Sequence, residues 1–378
     1  MKSSVTNVTT TEGSQLLLIT LALLCVGLIM VYSSSAYEVG GAGMSLGQTN
    51  IIDNPLFIKS IIYAAIGLGA MALTMIMPLG FWRHTARIWL VLAIGVLIYV
   101  LKYGIVINHA RRWINLEPFG RVQPAEAAKL ALIIYLAAFC ASRVGKPRTL
   151  KNMYLPAMFF LILFCGLVAA EHDLSTPAVM GSAAMATVFL GGFKLTWMLG
   201  TGLLGLVPLS YMILSSADRV GRILAFIDPW KDPTGDGYQL IQSLVAFSEG
   251  GFWGKGLGYG TQKLGYLCGA SHNDFIFAII GEELGFVGAG CVLLLFMLFL
   301  IQGIKIAFAA KDPFAAVLVG GLTALLVLQA ATNMGVAAGL LPTTGLSLPF
   351  ISYGGSSLVC SMAATGMIIK AGQYVHEE

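Results

Sequence analysis

The chain has 378 residues, of which 57% are hydrophobic and only 11% are charged. This composition excludes a water-soluble domain and is typical of a protein that crosses a membrane several times. The net charge of +4 decides little, because in a membrane protein the side on which the charges lie matters more than their sum.

The first apolar segment, from Gln15 to Ser34, is too long for the core of a signal peptide and lacks a strongly basic leader. We therefore interpret it as an uncleaved first span. The six cysteines are scattered singly, which predicts neither a disulfide framework nor a metal site.

Ten apolar runs are long enough to cross a bilayer, at about 20 residues each. They fall near 15–34, 56–77, 86–104, 124–142, 153–170, 174–192, 195–214, 275–302, 314–341 and 350–370. The sequence thus predicts an all-α polytopic membrane protein with about ten transmembrane helices.

The distribution of basic residues in the short connections favours both termini in the cytoplasm. We expect one transmembrane domain over 1–378, with a cytoplasmic tail over 1–14 and a long extracytoplasmic loop over 215–274 between spans seven and eight. Nearly all acidic residues then fall on or near the outer face, so any chemistry is expected there.

The first notable outer segment runs from 108 to 129. Pro124 is well placed in the first turn of a helix, and Glu126 and Lys129, spaced i, i+3, share one face of it. Charges at this depth indicate a functional site by default. The alternative is an ion pair that neutralises itself and has no further role.

The second segment is the loop 215–274. Arg219 and Arg222 are spaced i, i+3, and Gly237 to Gly251 has the pattern of an amphipathic helix lying along the membrane surface. The glycines from Gly254 to Gly260 fit neither common phosphate-binding spacing, so we interpret them as turn residues.

Asp274 ends this loop where an apolar helix begins, and Glu282 and Glu283 follow about two turns later. Such charges are costly unless they face a wet cavity or a partner, although they could also mark a water–membrane boundary. The Pro- and Gly-rich segment 341–357 must be packed in protein or line a cavity, and we expect it beside Asp274.

Several motifs, in this order, carry a resemblance to a known family. They are Ala110-Arg-Arg-Trp-Ile114, Gln123-Pro-Ala-Glu-Ala-Ala-Lys129, Asp228-Pro-Trp230, Gly237-Tyr-Gln-Leu-Ile-Gln-Ser243, His272-Asn-Asp-Phe-Ile-Phe-Ala-Ile-Ile-Gly-Glu-Glu-Leu-Gly285 and Pro349-Phe-Ile-Ser-Tyr-Gly-Gly-Ser-Ser357. Over nearly its whole length the chain resembles the SEDS proteins, the FtsW/RodA/SpoVE peptidoglycan glycosyltransferases. Gln262-Lys-Leu-Gly-Tyr-Leu267 is more similar to the division members, FtsW, than to the elongation members.

The resemblance implies polymerisation of lipid II, a disaccharide-pentapeptide on a polyprenyl pyrophosphate, at the outer face of the bacterial cytoplasmic (inner) membrane. It places the family's essential aspartate at Asp274, the general base that takes a proton from the acceptor hydroxyl. Single displacement of the pyrophosphate then inverts the anomeric carbon.

The resemblance and the charge pattern together nominate substrate-binding residues. Cations suit the leaving pyrophosphate, the pair in span four would line a central cavity, and Trp113 would contact a sugar or anchor at the interface. The candidates are Lys129, Glu126, Arg111, Arg112, Trp113, Gln123, Arg219, Arg222, His272 and Ser352.

No cofactor is implied with certainty, although a divalent cation could be shared with the pyrophosphate. The family's partners are a class B penicillin-binding protein, which is a transpeptidase, and other divisome or elongation-machinery proteins. No nucleic acid is expected. The sequence alone leaves open whether the protein serves division or elongation.

Two segments depart from the family pattern. The family commonly has Leu-Pro-Glu-Ala-His-Thr-Asp where this chain has 267–274, and Gln-Pro-Asp-Leu-Gly where it has Glu171-His-Asp-Leu-Ser175.

Two other functions remain as alternatives, a flippase or transporter of lipid II and a division scaffold without chemistry. Crowding of acids at the outer face favours the glycosyltransferase over a transporter, and a scaffold predicts that Asp274 tolerates substitution.

Overall fold

The computed structural model describes most of the chain. The described residues are 3–40, 54–107, 110–116, 120–146, 149–264, 267 and 273–373. His272 and the departure at Cys268 and Gly269 lie outside them.

Twelve α-helices make up most of the described chain. They are α1 (Ser3–Gly40), α2 (Pro55–Ile76), α3 (Leu79–Tyr103), α4 (Pro124–Ala141), α5 (Leu155–Ala170), α6 (Ser175–Leu190), α7 (Leu195–Leu214), α8 (Ala217–Ile227), α9 (Tyr238–Gly250), α10 (Ile276–Ala309), α11 (Pro313–Ala337) and α12 (Gly355–Gln373).

A helix occupies each of the ten predicted spans, and eight helices are long and apolar enough to cross a membrane. The other two are α6, which has only 16 residues, and α12. Helix α1 begins at Ser3, so the helix extends well into the predicted tail 1–14. The predicted multi-pass helical fold is confirmed.

Asparagine, aspartate and proline define where two of these helices start. Asn54 Oδ1 accepts a hydrogen bond from the Phe57 N–H at 3.0 Å, and Pro55 occupies the first turn of α2. Asp312 caps α11 in the same way, by accepting from the Phe314 N–H at 3.2 Å. Such side chains satisfy N–H groups that have no partner within the helix.

Helices α4 and α11 form the centre of the bundle, and α7 lies at its edge. The most apolar 18-residue windows of α4 and α11 are 78% and 67% buried, whereas that of α7 is 0% buried. Pro124 lies in the first turn of α4, as the sequence predicts. A helix that is apolar all round but unburied within the protein is suited to contact with lipid.

A small antiparallel sheet follows α3, which the sequence analysis did not anticipate. Its strands are β1 (Ile105–Ile107), β2 (Ala110–Leu116) and β3 (Gly120–Val122), in the order β1-β2-β3. Trp113 of β2 pairs with Ile105, and Asn115 pairs with Arg121. The sheet therefore fixes the direction of side chains in the first outer segment.

Helix α10 is two half-helices joined at Gly285, where φ is 67° and ψ is −166°. Residues 254–263, here called the glycine loop, pack against this break. Gly254, Gly256 and Gly258 all have positive φ, which confirms the interpretation of these glycines as turn residues.

The predicted amphipathic helix in the long loop is α9. Its apolar Leu240 is buried, and its polar Ser243 is fully buried as well. Ser243 Oγ donates a hydrogen bond at 2.6 Å to the carbonyl of Ala337, the last residue of α11. The serine is buried because it satisfies a carbonyl that has no partner within its own helix.

Candidate active site

Asp274 lies two residues before α10, at the end of the long loop, and its side chain is half-buried. Its backbone carbonyl accepts a hydrogen bond from Asn333 Nδ2 of α11 at 2.9 Å. The same nitrogen donates to the Leu346 carbonyl at 2.7 Å. Asn333 thus ties Asp274 to the segment 341–357, and the predicted packing of that segment beside Asp274 is confirmed.

Ser352 holds the same segment in place. Its Oγ donates to the Asn273 carbonyl at 2.7 Å and accepts from the Leu348 N–H at 2.8 Å. The side chain is 6% exposed, and both bonds go to the backbone. Its predicted role in binding substrate stays a prediction, while the contacts of the described residues give it a role in shaping the loop around Asp274.

Three charged side chains from three other elements act on the Asp274 carboxyl. They are Arg222 of α8, Arg112 of β2 and Asp173 of the α5–α6 turn. Burial raises the pKa of Asp274 to about 6, Arg222 and Arg112 oppose this rise, and Asp173 adds to it. Such a carboxyl is largely ionised at neutral pH and is still basic enough to take up a proton in a reaction.

Arg112 connects β2 to the turn between α5 and α6. Its Nη2 donates to the His172 carbonyl at 2.7 Å, and its Nη1 lies 3.6 Å from Asp173 Oδ2. Asp173 also accepts from the N–H groups of Ser175 and Thr176, at 3.0 and 3.1 Å, at the start of α6. The carboxylate of Asp173 therefore fixes both a helix start and the position of Arg112.

Two other predicted phosphate ligands are bound to backbone carbonyls. Arg111 Nη1 donates to the carbonyls of Leu101 and Lys102, each at 3.1 Å, near the end of α3. Arg219 Nη1 donates to the Met212 carbonyl near the end of α7 at 2.8 Å. Both guanidinium groups thus bind carbonyls near the carboxyl ends of helices. The arginines whose charges act on Asp274 are Arg112 and Arg222. The phosphate-binding roles of Arg111 and Arg219 stay predictions.

Glu126 and Lys129 form the predicted ion pair, with Lys129 Nζ 2.9 Å from both carboxylate oxygens. Lys129 Nζ also donates to Gln329 Oε1 at 2.7 Å, and Gln329 Nε2 donates to the Ser347 carbonyl at 3.0 Å. Lys129 is 1% exposed. The amide of Gln329 encloses the ammonium group in this structure. That the pair lines a central cavity stays a prediction.

The remaining predicted site residues have separate environments. Trp113 is half-buried in β2. Gln123 precedes α4, and its N–H donates to Ser356 Oγ at 2.9 Å. His272 lies outside the described residues, so its role stays a prediction.

Glu282 and Glu283 are fully buried in the first half of α10, and each is paired. Glu282 Oε1 accepts from Lys255 Nζ at 3.0 Å and from the Thr261 N–H at 2.6 Å. Glu283 Oε1 accepts from Lys263 Nζ at 2.6 Å. The two acids therefore fasten the glycine loop to the half-helix that follows Asp274. The alternative that they mark a water–membrane boundary stays a prediction.

No group of three or more His, Cys, Asp or Glu side chains that could hold a metal ion is found within the ranges that the structure describes. The divalent cation shared with a substrate pyrophosphate stays a prediction.

Residues 14–377 match the FtsW/RodA/SpoVE family model, which is described as "Cell cycle protein". The chain belongs to this family. Family membership, which the motifs predicted, is thereby confirmed.

Relatives of the FtsW/RodA/SpoVE family cover the chain almost end to end. "Probable peptidoglycan glycosyltransferase FtsW" of Geobacter sp. (strain M18) is 38% identical over 95% of this chain and 96% of its own length. The protein of the same name from Pseudomonas fluorescens (strain SBW25) is 40% identical over 93% and 85%. "Stage V sporulation protein E" of Bacillus subtilis (strain 168) is 37% identical over 95% and 96%.

Solved structures of family proteins share the fold. One chain of a peptidoglycan synthase complex, described as coordinating polymerization and crosslinking, has a TM-score of 0.76 and 28% identity, with 96% of this chain and 98% of that one covered. The rod shape determining protein RodA of Thermus thermophilus has a TM-score of 0.70 and 23% identity, with coverage of 96% and 97%. The latter likeness concerns the fold alone.

Two acidic residues beside the site were not predicted as site residues. Asp173 acts on Asp274 and holds Arg112, and Glu171 is completely buried two residues before it. A signal was present for Glu171, which stands where the FtsW/RodA/SpoVE pattern has Gln, whereas Asp173 matches that pattern. The effect of Asp173 on Asp274 could not be predicted, because it depends on how the α5–α6 turn packs against β2.

Proposed function

We propose that this FtsW/RodA/SpoVE family protein polymerises lipid II into glycan strands at the outer face of the bacterial cytoplasmic membrane and releases polyprenyl pyrophosphate. The observation that carries the proposal is the half-buried Asp274 carboxyl, on which the charges of Arg112 and Arg222 both act. Relatives 37–40% identical to this chain are named probable peptidoglycan glycosyltransferases, which supports the reaction class.

Asp274 is the general base of the proposed reaction. Its ionised carboxylate accepts the proton of the acceptor sugar hydroxyl while that oxygen attacks the donor's anomeric carbon. The bond from the anomeric carbon to the pyrophosphate oxygen breaks on the opposite face, so the configuration is inverted. Burial supports this role, since it raises the pKa of Asp274 to about 6 and so increases the basicity of the carboxylate.

The leaving pyrophosphate needs positive charge close to Asp274. Arg222 is exposed on α8, and its charge acts on Asp274, as does the charge of Arg112. Arginine can bind phosphate oxygens through two parallel hydrogen bonds, which fits this task. We assign both guanidinium groups to the pyrophosphate, with Asp173 holding Arg112 in place before the substrate arrives.

A partner protein completes the proposed activity. A similar chain has been solved within a peptidoglycan synthase complex that combines polymerization with crosslinking. We infer that a class B penicillin-binding protein supplies the transpeptidase here and that other divisome proteins contact the pair. The names of the relatives favour a role in division, with sporulation represented by one of them.

The proposal is tested by incubating the purified protein and its transpeptidase partner with lipid II in proteoliposomes. We expect glycan strands that require this chain, and we expect none from the partner alone. A parallel assay of lipid II translocation distinguishes the alternative function. Translocation without any polymer would contradict the proposal and favour a transporter, whereas neither activity would favour a scaffold.

A further inference from the structure

Glu171 is a buried acid that the proposed reaction does not use. It follows the last residue of α5, and its side chain is 0% exposed. Neither carboxyl oxygen has a hydrogen-bond partner among the described residues. An ionised carboxylate without partners is strongly disfavoured in such a place, so the group is expected to hold a proton.

Arg112, whose charge acts on this acid, has an unused donor. Its Nη1 and Nη2 are occupied by Asp173 and the His172 carbonyl, but its Nε is buried and has no partner in the described chain. The charge of Arg112 acts on Glu171. An unused acceptor and an unused donor are therefore enclosed in the same part of the protein.

The charges that act on Glu171, within the described ranges, come from two directions. Asp173 acts from the same turn and Arg112 from β2. Burial raises the pKa of Glu171 to about 8, Asp173 adds to the rise, and Arg112 opposes it. The carboxyl is thus mostly neutral at pH 7, in agreement with its unpartnered oxygens.

We propose that Glu171 is a positioning residue for the Asp274 site: while its carboxyl is protonated it leaves Arg112 on Asp173, and when it ionises it draws Arg112 away. This inference rests on the proposed function, because it describes how one arginine of that site is held. Glu171 itself touches no reacting atom and acts only through Arg112.

The rate of polymerisation should therefore decline at both low and high pH. Activity rises as Asp274 loses its proton near pH 6. It falls again above about pH 8, where Glu171 becomes charged and competes with Asp173 and the pyrophosphate for Arg112. One ionisation of this kind reduces the rate by about tenfold for each pH unit above the pKa.

The test compares polymerisation by the wild type and by Glu171→Gln from pH 5 to pH 10, with each profile scaled to its own maximum. Glutamine has the shape of the protonated acid, cannot ionise, and is the residue that the family pattern has here. We expect the alkaline decline in the wild type to be absent from Glu171→Gln, with the acidic limb kept in both. If Glu171 had a purely structural role, the two profiles would have the same shape, and that result would overturn the proposal. A wild-type profile without an alkaline decline would also overturn it.

Infrared titration gives a readout that does not depend on activity. The wild type should show the absorption of a protonated carboxyl that disappears near pH 8, and Glu171→Gln should lack it. Glu249→Gln is the matched control, since Glu249 is an exposed acid whose pKa is lowered by hydrogen bonds from Lys255 and Thr261. If the wild type polymerises lipid II but shows no such band, the inference is overturned. If the band is present but no polymer forms, only the proposed function is contradicted.

Discussion

Arg111 and Arg112 are adjacent in the chain, yet their guanidinium groups bind to different parts of the protein. Successive side chains of a strand point to opposite faces, and both residues lie in β2. Arg111 accordingly reaches the end of α3, while Arg112 reaches Asp173. The alternation of one short strand thus decides which of the two arginines contacts Asp173.

The balance of charges around Asp274 predicts the effect of removing Arg222. Arg222 favours the ionised form of Asp274, so Arg222→Ala should raise the pKa of Asp274 above about 6. The acidic limb of the polymerisation rate should then move to higher pH. Arg121→Ala is the control, because Arg121 is an exposed arginine of the adjacent strand β3. A limb that moves equally in both variants, or in neither, would contradict the charge balance.

Isolated charges in apolar sequence were sufficient to single out Asp274 as a candidate site residue and to predict the ion pair of Glu126 and Lys129. A charge in such a run is costly, so its presence is informative without any structure. The roles of Arg111 and Arg112 were not separable in this way, because they depend on the register of a strand that the sequence pattern did not reveal. The enclosure of Lys129 likewise depends on Gln329, which is 200 residues away in the chain.

The first half of α10 is the element that presents Asp274. It is fixed at one end by Asn333 and along its length by the pairing of Glu282 and Glu283 with the glycine loop. The break at Gly285 separates this half from the remainder of α10. The half-helix is therefore held both by α11 of the bundle and by the glycine loop.

Gly285→Ala should destabilise the protein and lower polymerisation. Gly285 has a φ of 67°, and a Cβ there would lie 2.3 Å from the Gly254 nitrogen. We expect a loss of about 1–3 kcal/mol in the free energy of unfolding, the range for strained backbone conformations. Gly290→Ala is a matched control in the same helix, with no atom within 4 Å of its added Cβ. Thermal unfolding in detergent measures both, and equal midpoints would contradict the importance of the break.

The sequence predicted α9 and the turn glycines but not the break in α10. Turn glycines recur within a few residues, whereas one glycine in an apolar run is usually tolerated inside a helix. Gly285 acquires its positive φ from tertiary contact, since the glycine loop packs against it. Information of that kind is not present in a local pattern.

The location of the helices was the feature that the sequence predicted best. Hydrophobic length alone located the ten helices that occupy the predicted spans. These include α6, although its 16 residues span only about 24 Å at 1.5 Å per residue. The outer segments converge on Asp274 because the helices that carry them end on the same side. At the other end, Arg83 lies 3.8 Å from Asp312, which joins the starts of α3 and α11.

The predicted orientation in the membrane can be tested by cysteine labelling in a variant without the six native cysteines. Tyr259→Cys on the Asp274 side, where Tyr259 is 70% exposed, should react with a membrane-impermeant maleimide added to intact cells. Val144→Cys, at a position 64% exposed on the other side, should react only after the membrane is permeabilised. The reverse pattern would contradict a cytoplasmic location of both termini.

The most direct test of the account is polymerisation of purified lipid II by Asp274→Asn beside the wild type, each with the same transpeptidase partner. Asp218→Asn, which alters an exposed aspartate of α8, controls for the loss of one carboxylate in this loop. Because the asparagine amide cannot accept the proton, we expect polymerisation to fall by about a hundredfold or more while lipid II binding is retained. Equal polymer from Asp274→Asn and the wild type would contradict the assignment of Asp274 as the general base.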